Sequence, residues 1–283
     1  MTKTRRRRAV VTNDDGIGCE GLRLLAIAAQ EAGLDVVVAA PDHDASGTSA
    51  AMTAATTEGR VVVTRHNFDG LEGTPVYAVR AAPAFIAFTA TRGAFGGMPD
   101  VVLSGINRGP NTGQAVLHSG TVGAAMTAAT SQVPSAAFSL DVRAEHEAEH
   151  WDAASAAAAQ VLPSVLDLPP GLVLNVNIPN VPPASLRGIR QATLAGTGAV
   201  QLSIVAETQD YLQVTMAEAA ERPQPGTDSA LIAAGYVTVT ALRPVCDAGD
   251  VGLPWPAPDG RASRQRITAA GASAMTRSRS AGG

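Results

Sequence analysis

At 283 residues the chain has room for one large domain, or one domain with an extension. Its net charge of −4 gives no hint of binding to a nucleic-acid duplex, and no run approaches the ~18 apolar residues of a membrane span. Cys19 and Cys246 are too few for a disulfide framework or a zinc knuckle, so a reducing, cytoplasmic setting is expected.

Arg5 to Arg8 read as a solvated flank, since the apolar stretch after them, Ala9 to Val11, is far too short for a signal sequence. Ala9 to Thr12 reads as a strand. Leu22, Leu25, Ala26 and Ala29 recur at helical spacing, and that helix stops near Gly33. Val36 to Ala40 is a buried strand closed by Pro41-Asp42. Residues 51 to 80 hold short strands, among them Val61 to Thr64 and Val76 to Val79. Pro83 opens a helix. Val101 to Leu103 is a strand, Thr121 to Thr130 a helix and Pro134 to Ser139 a strand. Asp152 to Gln160 is a helix by alanine propensity, and Leu172 to Asn177 a further strand. This rhythm predicts an α/β fold, a Rossmann-like, doubly wound, mostly parallel sheet, over a core of residues 1–184. Residues 185–253 are expected to form a β-hairpin arm, a short helix at Asp228 to Ala234 and a strand, Tyr236 to Leu242, that returns to the core. Residues 254–283, rich in Pro, Gly, Ser, Ala and Arg, are expected to be a mobile or docked tail.

The chemistry begins where the first strand ends, at Asn13-Asp14-Asp15-Gly16. Two carboxylates at the carboxyl end of a buried strand are costly unless a cation compensates them. Open α/β sheets bind ligands at that end. A divalent cation on Asp14 and Asp15 is therefore the first expectation, with a helix cap as the plainer alternative. Gly16-Ile17-Gly18-Cys19-Glu20-Gly21 also matches the G-x-G-x-x-G dinucleotide pattern, so an NAD-binding protein is a minor alternative. The two acids stand where a pyrophosphate would lie, and they would repel it.

Three further segments open at the same edge of a parallel sheet. Ser104-Gly105-Ile106-Asn107 leads into a loop through Gly109, Asn111 and Gly113, and Asn107 offers an amide oxygen suited to a hard cation. His118-Ser119-Gly120-Thr121 precedes a helix, where free N–H groups and hydroxyls can cradle a phosphate, or where Ser119 or Thr121 merely caps. Ser46-Gly47-Thr48-Ser49 follows the second strand. Together they suit metal-assisted hydrolysis of a phosphate ester. His146 and His150 sit amid glutamates and read as an exposed helix face.

With these residues in view, the chain resembles the SurE family of survival-protein 5′/3′-nucleotidases from about Arg8 to Leu242. The resemblance rests on Thr12-Asn13-Asp14-Asp15-Gly16, on Ala40-Pro41-Asp42 through Ser49, and on Pro99 to Asn107 with Gly109 and Asn111. Ser119-Gly120-Thr121-Val122-Gly123-Ala124-Ala125-Met126, Asn175-Val176-Asn177-Ile178-Pro179, Gly226-Thr227-Asp228 and Gly235-Tyr236-Val237 extend it. It implies one divalent cation, Mg²⁺ or Mn²⁺, on Asp14, Asp15, Ser46 and Asn107, and a homodimer or tetramer with a protruding or swapped arm. The phosphate is expected on Gly47, Asn111, Ser119, Gly120 and Thr121. Asp14 and Asp15 are expected to be catalytic, with Asp15 alternating between ligand and base, or Asp14 as nucleophile. Two segments depart from the family pattern. Asp42-His43-Asp44-Ala45-Ser46 lacks the usual arginines. By spacing, Ala81-Ala82-Pro83-Ala84-Phe85 keeps the proline of a Gly-Thr-Pro-x-Asp-Cys-Val segment and loses its acid. The expected function is hydrolysis of nucleoside monophosphates or related small phosphate esters. The alternative is a non-catalytic nucleotide- or phosphate-binding protein on the same fold.

Overall fold

The computed structural model describes residues 5–144, 146–196, 200–207, 211–218 and 223–247. In chain order the elements are β1 (Arg8–Thr12), α1 (Glu20–Glu31), β2 (Asp35–Pro41), β3 (Thr56–Thr57), β4 (Arg60–Val61), β5 (Val63–His66), β6 (Val76–Val79) and α2 (Pro83–Ala90). Then come β7 (Val101–Arg108), α3 (Gly120–Thr130), β8 (Ser135–Asp141), α4 (Trp151–Leu166), β9 (Val173–Pro179), β10 (Ile189–Gln191), β11 (Val200–Glu207), β12 (Leu212–Glu218), α5 (Asp228–Ala233) and β13 (Val237–Leu242).

Nine strands form one sheet in the order β10-β13-β9-β8-β7-β1-β2-β6-β5. The six from β9 to β6 run parallel, while β5 pairs antiparallel with β6, β13 antiparallel with β9, and β10 parallel with β13. From β1 the chain winds outward through β2 to β6, then crosses back to β7 and winds the other way through β8 to β9. The strand order therefore reverses between β1 and β7, where open α/β sheets form a crevice at their carboxyl ends. That is where Asp14, Asp15 and Asn107 lie.

Alternation along the central strands fills both faces of the sheet. Val11, Val38, Leu103 and Phe138 meet α1 and α4 on one face. Val10, Val37 and Val102 meet α2 and α3 on the other, through Ala87, Ala90, Ala124 and Ala128. Alanines at that contact let the two helices lie close to the sheet and to each other. Pro83 sits in the first turn of α2, as expected, and Ala84 beside it is fully buried.

Three segments differ from expectation. The strand expected at Val61 to Thr64 is divided at Val62 between β4 and β5, which belong to different sheets. The loop expected to begin at Ser104 begins later, because β7 continues to Arg108. Its pairing with β8 shifts between Ser104 and Asn107. Gly105 has φ +128°, and a Cβ there would collide with the Phe138 carbonyl oxygen, so only glycine permits this irregular strand. His146, Glu147, Glu149 and His150 are not a helix face. The chain is irregular there until α4 starts at Trp151, and the Glu147 carboxylate accepts from the Arg143 and Ala144 main chain, fixing a turn instead.

Past β9 the short strand β10, which periodicity did not reveal, pairs with β13 at the sheet edge. β11 and β12 form a separate two-stranded antiparallel sheet. Residues through Pro244 make one unit, and Val245–Gly283 a second that lies almost wholly outside the described residues, as does the expected tail at 254–283.

Candidate functional site

The helix-cap alternative for the two acids does not hold. α1 starts at Glu20 with Cys19 in the cap position and no side-chain cap, well past Asp14 and Asp15. The last glycine of the dinucleotide pattern serves packing. A Cβ at Gly21 would collide with the Ile106 carbonyl oxygen, so glycine there lets α1 lie against β7.

Asp14 is 3% exposed. Its carboxylate accepts from the Thr121 hydroxyl on α3, and its carbonyl accepts from the Ala45 N–H at 2.7 Å. Burial raises the Asp14 pKa above the usual carboxylate range, the Thr121 hydroxyl and main chain oppose that rise, and the Asp44 charge adds to it. Asp15 is pushed up to about 7, first by burial and then by the Asp14 charge. The Arg108 main-chain N–H, 3.2 Å from Asp15 Oδ2, and the Arg108 charge pull it back only in part. That N–H also seats Asp15 beside Asn107.

Several loops and one helix start thus converge. Asp14 and Asp15 come from the end of β1, Ala45 to Thr48 from the end of β2, Asn107 from β7, and Thr121 from α3. α3 approaches closely because its first residue lacks a side chain: a Cβ on Gly120 would stand 2.7 Å from Asp14 Oδ2 and 3.1 Å from Thr48 Oγ1. Ser46 is exposed, and its N–H and hydroxyl both donate to Asp44 Oδ1, at 2.8 and 2.6 Å. That turn leaves the Ser46 oxygen lone pairs available. Asn107 Nδ2 donates to the Gly109 carbonyl at 2.8 Å, which orients its amide.

The residues expected on the phosphate are less uniform. Ser119 is the N-cap of α3, its Oγ accepting from the Val122 N–H at 3.1 Å. The hydroxyl proton of Thr121 goes to the Asp14 carboxylate. Asn111 Nδ2 donates to Ser139 Oγ at 2.8 Å. Gly47 is exposed at φ +75°, and open space surrounds the position of a Cβ there.

A family model described as "Survival protein SurE" matches residues 9–201. The chain belongs to the SurE family. It is 35% identical over 240 residues to the 5′-nucleotidase SurE of Aeromonas hydrophila, covering 83% of this chain and 91% of that relative. The 5′/3′-nucleotidase SurE of Edwardsiella ictaluri is 32% identical over 241 residues, covering 83% and 89%. The crystal structure of the SurE protein from Aquifex aeolicus superposes with a TM-score of 0.69 at 29% identity, covering 85% of this chain and 95% of that one.

The donor set of this SurE chain fits a hard divalent cation: two carboxylates, an amide and a hydroxyl, all oxygen donors. Both acids carry raised pKa values, the mark of buried negative charge short of compensation. Asn13 Oδ1, next to Asp14, is buried with no hydrogen-bond partner among the described residues. Two residues of the loop after β2 were given no role of their own from the sequence: Asp44, whose charge acts on both acids, and Thr48, which lies against the start of α3. Asp44 is an acid two residues before Ser46, and that spacing is the signal that could have found it. Thr48 carries no spacing signal. The SurE motif around Asn175 and Asn177 is visible in the sequence, but nothing there assigns it a role.

Proposed function

We propose that this chain is a divalent-metal-dependent phosphomonoesterase that hydrolyses nucleoside 5′- and 3′-monophosphates or closely related small phosphate esters. The observation that carries the reading is a pair of adjacent acids at the switch point of the sheet, Asp14 buried against the start of α3 and Asp15 half-buried beside it, in a chain whose relatives are named nucleotidases.

Asp14, Asp15, Ser46 and Asn107 would hold one Mg²⁺ or Mn²⁺. When bound, such a cation supplies positive charge that polarises the phosphoryl group and eases attack by water. The remaining work belongs to the chain. Thr121 fixes the Asp14 carboxylate by donating its hydroxyl proton, and the positive end of α3 faces that acid. Asp15 would alternate between ligand of the cation and base, taking a proton from the attacking water. Asn111, Ser119, Gly120 and Gly47 surround the phosphate. Ser119 keeps its own hydroxyl proton while capping α3, so it has one donor to offer. Neither Asp14 nor Asp15 is released from the fold by this chemistry, which keeps the site preorganised.

The enzyme is proposed to act in the cytoplasm as a homodimer or tetramer, with a core of residues 1–184, an arm and returning strand in 185–253, and a tail beyond. The described residues contain no helix long and apolar enough to cross a membrane. Phosphate release from a panel of nucleoside monophosphates and simple phosphate esters tests the substrate class. Turnover favouring nucleotides supports it. Tight ligand binding without turnover for any ester or metal would favour the non-catalytic alternative, which the alanines at 45 and 84 motivate.

A further inference from the structure

The loop after β7 is held from behind by side chains that neither the cation nor the phosphate assignment uses. Asn177, on β9, accepts from the Asn111 main-chain N–H at 2.8 Å and donates from Nδ2 to the Asn111 carbonyl at 3.0 Å. Asn175, two residues earlier on the same strand, donates to that carbonyl at 2.8 Å. Ser139 Oγ, on β8, accepts from Asn111 Nδ2 at 2.8 Å. Asp228, in the first turn of α5, accepts from the Gly113 N–H at 2.8 Å with one oxygen. Its other oxygen accepts from the Ala195 and Ser229 N–H groups at 2.9 and 2.8 Å.

Ser139, Asn175, Asn177 and Asp228 are all fully buried, at 0% exposure. Burying amides and a carboxylate is costly unless their hydrogen bonds are well made. The sheet itself does not need these side chains, because β9 already pairs along its backbone with β8 and β13. What they share is one target, the main chain and amide of Asn111 to Gly113.

We propose that Ser139, Asn177 and Asp228 are positioning residues that set Asn111–Gly113 for the substrate's phosphate. The proposal rests on the reading of Asn111 as a phosphate ligand. The three act through the loop and not on the reacting atoms. Asp14, Asp15 and Ser46 lie on other loops, and Asn107 is held separately by its place in β7 and by the Gly109 carbonyl, so substrate affinity depends on the three far more than cation affinity does.

Asp228→Asn turns one accepting oxygen into an NH₂ group that faces a main-chain N–H. Asn177→Ala removes both bonds to Asn111. Ser139→Ala removes a single acceptor from a strand already rich in alanine, and it is the mildest change. The test measures KM and kcat on a nucleoside 5′-monophosphate at saturating Mg²⁺, competitive inhibition by inorganic phosphate, and Mg²⁺ affinity by calorimetry. Asp228→Asn and Asn177→Ala should raise KM and the phosphate inhibition constant about tenfold, and Ser139→Ala about threefold, the scale of one or two lost hydrogen bonds. Mg²⁺ affinity should stay within about twofold of wild type.

A merely structural role would lower the melting temperature and leave KM and phosphate inhibition of the folded protein at wild-type values, which overturns the proposal. Should Asp228→Asn and Asn177→Ala fail to fold, Ser139→Ala decides alone on the same readouts. Asn111→Ala separates the two possible failures. If it raises KM while the positioning variants do not, the positioning claim falls. If it too leaves KM and phosphate inhibition unchanged, the phosphate assignment falls and takes the positioning claim with it.

Discussion

Asp14 and Asp15 set the tension between stability and function in this chain. Asp14 is buried and Asp15 half-buried, and each has a pKa above its ordinary value of 3.8, Asp15 reaching about 7. The folded, metal-free protein therefore binds more protons than the unfolded chain between pH 3.8 and about 7. Its stability must fall as pH rises through that window. Thermal melts of chelated protein should show a lower midpoint at pH 7.5 than at pH 5, and added Mg²⁺ or Mn²⁺ should recover more at the higher pH. A midpoint that rises across the same window would contradict two acids of raised pKa. Asp14→Asn follows from the same physics. The amide can still accept the Thr121 hydroxyl, and it removes a desolvated charge. The variant should be more stable than wild type without metal by roughly 1 kcal/mol or more, while losing about 100-fold or more of its turnover. Wild-type activity in Asp14→Asn would remove that residue from the site.

At the scale of elements, α3 is the part most finely fitted to the site. Its first residue must be glycine, because a Cβ at Gly120 would press within 2.7 Å of the Asp14 carboxylate. Gly120→Ala should thus lower cation affinity and turnover by about tenfold or more, although alanine is the better helix former. Unchanged cation affinity, measured by calorimetry, would refute the close fit. The elements themselves were largely legible in the sequence. β1, α1, β2, α2, α3 and β9 follow from hydrophobic runs, a Pro83 start and helical spacing. β10 escaped because three exposed residues carry no pattern. The extension of β7 escaped because Ser104-Gly105 reads as a turn until the neighbouring strand is known. The acids at the end of β1 could be read because burying two adjacent charges after an apolar run is costly without a cation. The holders of Asn111 could not, since Asn175, Asn177 and Asp228 meet that loop only through pairing of strands distant in sequence.

For the whole molecule, the arm is the open element. Among the described residues β11 and β12 pair only with each other as strands, and Val205, near the end of β11, is 59% exposed. A two-stranded ribbon is marginal alone in water, and exposed edges invite a second chain. The full chain should therefore sediment as a dimer or larger at micromolar concentration, and removal of residues 195–222 should shift it toward monomer. A monomeric full-length protein, or an oligomer indifferent to the deletion, would contradict an arm-mediated assembly. The deletion also removes the Ala195 N–H that Asp228 accepts from, so its KM is informative beside its mass.

Turnover in this chain should depend on a cation at the end of β1. Phosphate release from a nucleoside 5′-monophosphate should be followed in one preparation as purified, after chelation, and after restoring Mg²⁺ or Mn²⁺, with Asp14→Asn in parallel. The expected result is activity that chelation abolishes, that either metal restores in wild type, and that neither restores in Asp14→Asn. Hydrolysis that persists through chelation, or that metal restores equally in Asp14→Asn, would contradict it.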